Sequence, residues 1–148
     1  MTFKRKFIKY WIPVILWMSI IIWMSTETFS SENTVTVIGP LLRLLVPRIS
    51  PQEIDFIHVL MRKASHVAEY LVLSLLLFRA FRGDSAVSWY WRWSFFALVI
   101  VFLFAFLDEF HQFLVPARTA SMTDVGIDTA SGGIAQVLTV LCYHYGKR

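Results

Sequence analysis

Four long stretches that carry almost no charge set the limits on what this chain can be. Tyr10–Thr26 is seventeen residues without a charged side chain, and Val67–Phe81 carries only Glu69 and Arg79. Trp93–Val115 is apolar around the pair Asp108–Glu109, and Val125–Tyr145 holds only Asp128 and His144 as ionisable groups apart from tyrosine and cysteine. A helix needs roughly 20 apolar residues to cross about 30 Å of hydrocarbon, and each stretch comes close to that length. A chain that is 57% hydrophobic and 16% aromatic is too apolar for a water-facing surface. The sequence therefore predicts an all-α integral membrane protein. It reads as a four-transmembrane-helix bundle in one domain over residues 1–148, with spans near 10–26, 64–82, 93–115 and 124–145.

Lys4, Arg5, Lys6 and Lys9 precede the first stretch as they would in a signal peptide. WIPVILWMSIIIWM stays bulky to its end, however, and no small-residue cleavage site follows, so it reads as a retained span. Cys142 is the one cysteine, which excludes a disulfide framework and a site built from several thiolates. The net charge of +4 does not point to nucleic acid, because the lysines and arginines gather at the ends of the spans. With both termini in the cytoplasm, that side holds nine of fourteen basic residues and only Asp84 of ten acids, a balance of +8 against −4 outside. Membrane insertion favours that asymmetry. WYWRW, Trp89–Trp93, then forms an aromatic belt at the cytoplasmic end of the third span.

The segment between spans one and two predicts an amphipathic, interfacial outer element. SENTVTVIGPLLRLLVPR has a short apolar run broken by Pro40 and Pro47 and carries Arg43 and Arg48. Ser50-Pro51-Gln52-Glu53 has the form of a capping box with proline in the first turn, so a helix starts there, with Glu53 in a structural role. That helix can run on into span two. Ile54, Ile57, Val59, Leu60 and Met61 give it an apolar side, which more readily covers a surface than binds a dedicated partner.

Within this topology three polar motifs meet at the outer ends of spans two, three and four. They are His66–Glu69, Asp108–Gln112 and Asp124–Asp128. From Trp93 to Leu107 a helix rises only about 22 Å, so Asp108 and Glu109 lie inside the outer leaflet. Ionisable groups there cost about 2.5–3.5 kcal/mol each even on the lenient insertion scale, which marks functional or tightly paired positions. Arg62, His66, Glu69 and Leu73 share one helix face; Asp108 and Gln112 share another, with Glu109 turned aside toward the headgroups.

Each candidate has a bland reading beside the functional one. His66 is a metal ligand or proton carrier, or a hydrogen-bonded interior histidine. Glu69 and Asp108 are candidate catalytic bases and, with His66, candidate ligands for a divalent cation; alternatively they pair with Lys63 or Arg118. Arg118 suits those carboxylates or a phosphate equally. Asp124 falls at the end of Ser121-Met122-Thr123-Asp124, a capping-box form, and so takes a structural role. Asp128 lies one turn deeper and has no such role, while Gly132 and Gly133 favour tight helix packing. His111 and His144 read as peripheral. No H-E-x-x-H zinc motif, protease Cys–His pair or phosphate-binding glycine loop is present, so no enzyme class or cofactor is named by motif.

Lys63, Ala64, His66, Glu69 and Tyr70, then Asp108, Glu109, Gln112, Pro116 and Arg118, then Asp124, Asp128 and Gly132 together resemble the VanZ-like family of small bacterial membrane proteins. Ala117 stands where that pattern has glycine. The resemblance implies a multi-pass protein of the bacterial plasma membrane with a role in the cell envelope, linked to resistance to the lipoglycopeptide teicoplanin. Combined with the polar motifs, it leads us to expect an outer-leaflet cavity that binds or acts on an amphipathic envelope molecule. Glu69, Asp108, Gln112, Arg118, Asp128 and His66 would line it, and the partners would be membrane lipids or a lipid-linked molecule. A cation-assisted hydrolase or transferase and a proton-coupled transporter are the competing expectations.

Overall fold

The computed structural model describes residues 2–26, 39–114 and 120–145. The described residues are helical with no strand, in the order α1 (Phe3–Met24), a short α2 over 39–45, α3 (Pro51–Arg82), α4 (Trp91–Phe113) and α5 (Met122–Tyr145). Four of these helices are long and apolar enough to cross a membrane. The 22 to 24 residues of α1, α4 and α5 rise about 33–36 Å, which covers the hydrocarbon. α1 begins ahead of the expected span because its lysines and arginine are good helix formers that can remain in the headgroup layer.

α3 is the longest helix, 32 residues or about 48 Å, and so runs well beyond one bilayer core. Its start is built as the sequence predicts. Ser50 Oγ accepts from the Glu53 N–H, and a Glu53 carboxylate oxygen accepts from the Ser50 N–H at 2.8 Å, with Pro51 in the first turn. The helix continues without a break into the membrane-spanning part. It stops at Gly83, whose φ of 54° lies in the left-handed region that favours glycine, with Arg79 and Arg82 in the last turn.

α3 is the centre of the bundle: it packs against α1, α4 and α5, while α4 also packs against α5. The core joins Tyr10, Val14 and Ile21 of α1 to Tyr70, Leu73 and Leu77 of α3 and to Ala97, Val101 and Ala105 of α4. Gly132 allows the closest approach between α4 and α5, since a Cβ there would sit 2.8 Å from Val101 Cγ1. Gly133, expected to share that role, has open space where its Cβ would be.

Burial is inverted relative to a soluble protein. Leu16, Phe102, Leu103 and Val137 are exposed on the perimeter, whereas Asp108, Glu109, Gln112, Asp124 and Asp128 are buried. Only an apolar solvent stabilises that arrangement, and it is the arrangement of a multi-pass membrane protein. Leu41, Leu44 and Leu45 of α2 are likewise exposed, in keeping with an interfacial segment.

Candidate functional site

The buried polar groups gather at the end of the bundle where α1 finishes and α5 begins. They form layers down the α3–α4–α5 junction. In the first layer Arg62 and Lys63 of α3 hold Asp124 of α5 at 3.1 and 3.2 Å. Asp124 is 3% exposed, so both of its oxygens are committed inside the bundle. Ser121 Oγ instead accepts from the Thr123 N–H, and the side chain of Asp124 serves as an interhelical ion-pair partner rather than as the helix cap its spacing predicts.

The second layer holds His66, Glu109 and Asp128. His66 Nδ1 is 3.2 Å from Asp128 Oδ2. Glu109 Oε2 accepts from the Ser121 N–H at 2.7 Å, which ties the end of α4 to the start of α5. One ligand-capable atom from each of the three residues lies within 4.8 Å of the other two. Among the described residues, Glu109 Oε1 and Asp128 Oδ1 are buried with no hydrogen-bond partner. Tyr70 stacks on the His66 ring at 6.4 Å and 8°, and its hydroxyl is also buried without a partner.

A third group centres on Asp108. Ser25, just past the end of α1, donates to Asp108 Oδ1 at 2.5 Å, and Gln112 Nε2 donates to Oδ2 at 3.1 Å. Two donors satisfy this carboxylate without a cation. Glu69 is buried on the same face of α3 as His66, and its backbone carbonyl accepts from Trp17 Nε1 of α1. Deeper still, Ser74 donates to the Gly132 carbonyl, and Gln136 donates to Ser74 Oγ at 2.7 Å. These bonds join α3 to α5 below the charged layers.

The VanZ/LLP1 family profile matches residues 10–143, nearly the whole chain and all four long helices. The chain belongs to the VanZ/LLP1 family. No curated protein and no solved structure matches it. In this VanZ/LLP1 protein the three motifs that carried the resemblance are therefore elements of one helical junction, apart from Pro116 and Arg118, which lie outside the described residues.

The structure places the sequence candidates in different groups. The carboxylates that offer an atom within 4.8 Å of one on His66 and of each other, among the described residues, are Glu109 and Asp128, while Asp108 bonds to Ser25 and Gln112. Glu109 was expected to turn aside; it is 4% exposed. The reason is that α4 buries a stripe two residues wide, since Asp108 faces the end of α1 while Glu109 faces α5. The i, i+4 spacing of Asp108 and Gln112 described only half of it. Ser25 was missed for a different reason: no signal in STETFS separates an inward serine from an ordinary loop. His111 and His144 are exposed, as peripheral residues are.

Proposed function

We propose that this VanZ/LLP1 protein works in the bacterial plasma membrane with both termini in the cytoplasm, and that its polar helix junction faces the outer leaflet and recognises the head group of an amphipathic envelope molecule. The observation that carries this reading is the buried, incompletely satisfied pair Glu109 and Asp128 within a helical bundle whose perimeter is apolar. Carboxylate oxygens stripped of water in hydrocarbon are costly, and a ligand that donates to them offsets the cost. A groove of about 280 Å³ beside Glu109, lined by Phe106, Phe110, Phe113 and Met122, gives an acyl chain an apolar bed next to the polar groups. Family membership connects this role with resistance to teicoplanin, itself a lipid-bearing glycopeptide.

A second reading uses the same groups for chemistry, as a hydrolase or transferase of lipid-linked substrates. His66 hydrogen-bonded to Asp128 is an oriented imidazole, which favours that reading as an acid–base arrangement. The test separates the two. A deletion strain is complemented with wild type, Glu109→Gln or Asp128→Asn at matched membrane levels, and its envelope lipids and lipid-linked wall precursors are compared by mass spectrometry. A species that accumulates in the deletion and both variants, but not with wild type, marks a molecule that is processed or moved. A profile unchanged in every strain, with teicoplanin tolerance still dependent on the protein, leaves binding alone. Unchanged lipids and unchanged tolerance would overturn the proposal.

A further inference from the structure

We propose that His66, Glu109 and Asp128 form a binding site for one divalent cation of the zinc or manganese class at the junction of α3, α4 and α5. The inference goes beyond head-group recognition and does not rest on it, because the ion can bind with no lipid present. Clustering is only the first observation. The three residues are 6%, 4% and 0% exposed, and each contributes an atom to a group no more than 4.8 Å across.

The second observation is what each carboxylate lacks. Glu109 has one oxygen held by the Ser121 N–H and the other, Oε1, without a partner. Asp128 has one oxygen on His66 and the other, Oδ1, without a partner at zero exposure. Buried carboxylates elsewhere in the junction are treated differently: Asp108 receives two donors, and Asp124 takes both nearby cations. The oxygens left over belong to the two carboxylates that group with His66.

Charge balance points the same way. Among the described residues the ion pairs of Arg62 and Lys63 are both with Asp124, not with Glu109 or Asp128. A dication between Glu109 and Asp128 offsets the two carboxylate charges where hydrocarbon makes them most costly.

The donor set selects the class of ion. Calcium takes six to eight oxygens and magnesium keeps several waters, whereas an imidazole with two carboxylates suits the borderline transition ions. Two donors on one tetrahedral ion with bonds of about 2.0–2.1 Å sit roughly 3.3 Å apart. The 3.2 Å between His66 Nδ1 and Asp128 Oδ2 already has that spacing. Three protein ligands leave a further position for water or for an oxygen of a bound head group.

The test uses the full chain in detergent, stripped with a chelator and then given Zn²⁺ or Mn²⁺ alone. Wild type should bind about one ion per chain, read by calorimetry and by elemental analysis after desalting. Glu109→Gln and Asp128→Asn should each weaken binding by about tenfold or more, while Asp84→Asn at the other end of the bundle leaves it unchanged. Tryptophan fluorescence checks that the variants fold; added ion should raise the Tm of wild type and not theirs. If the variants do not fold, X-ray absorption on zinc-loaded wild type decides the matter, with one imidazole expected in the first coordination shell. No stoichiometric binding by wild type, a shell without imidazole, or equal affinity in folded variants would overturn the site.

Discussion

The two ends of this bundle use the same residue types to opposite effect. At the end where α1 begins, Lys6 and Lys9 reach Asp84 at 3.6 and 3.2 Å, and the Tyr10 hydroxyl donates to the same carboxylate. Those lysines are about half exposed, Arg79 and Arg82 lie over the rings of Tyr10 and Tyr143, and Trp89, Tyr90 and Trp91 spread along the perimeter. At the other end the charges are inside. Screening and water make the first set weak and interchangeable, while burial makes each member of the second set matter. The number of charges is therefore a poor guide to function in such a protein; their depth, and whether every polar atom has a partner, says more.

The contrast is sharpest at the buried ion pairs. Asp124→Ala should destabilise the protein by about 2–3 kcal/mol in detergent, because it strands Arg62 and Lys63 in a partly buried setting. The Lys63 side chain is 40% exposed, which keeps the effect below that of a fully buried pair. Equilibrium unfolding of the variant checks this, and a loss under about 0.5 kcal/mol would mean that the polar end is as tolerant as the other.

Packing beneath the charged layers comes next. Gly132→Ala places a methyl group 2.8 Å from Val101 Cγ1 and should cost about 1–2 kcal/mol, whereas Gly133→Ala meets nothing and should be near neutral. Combining Gly132→Ala with Val101→Ala relieves the contact, and a double-mutant cycle should return a favourable coupling.

The smallest effect belongs to Asp84. Its carboxyl is held below the usual value of 3.8, chiefly by the hydrogen bond from Tyr10 and then by Lys9. A depressed folded-state pKa stabilises the protein above the unfolded value, and the contribution is lost as pH falls through the folded value. The difference in Tm between wild type and Asp84→Asn should therefore be slight near neutrality, shrink further with added salt and disappear well below pH 3.8. A large difference that persists in high salt would erase the distinction between the two ends.

The helices were legible because hydrocarbon imposes a length rule: uncharged runs of about twenty residues have few alternatives in a chain this apolar. The start of α3 was legible because Ser50 and Glu53 satisfy each other locally. What the sequence could not convey was which neighbour each inward group meets. Asp124 has cap spacing, but two cations on α3 outbid Ser121 for its carboxylate. Glu109 lies off the Asp108–Gln112 face, yet α5 closes over it, partly because Gly132 lets that helix approach α4. Helical periodicity defines a face, and only the third helix at a junction determines how wide that face is.

The most direct measurement sets the two ends against each other in cells. In a strain lacking this protein, Glu109→Gln, Asp128→Asn and Asp84→Asn are expressed at matched membrane levels, and envelope lipids and teicoplanin tolerance are compared with wild-type complementation. If the buried junction is the working part, Glu109→Gln and Asp128→Asn behave like the deletion and Asp84→Asn behaves like wild type. Equal behaviour of all three variants, whether active or inactive, would contradict the assignment of function to that end.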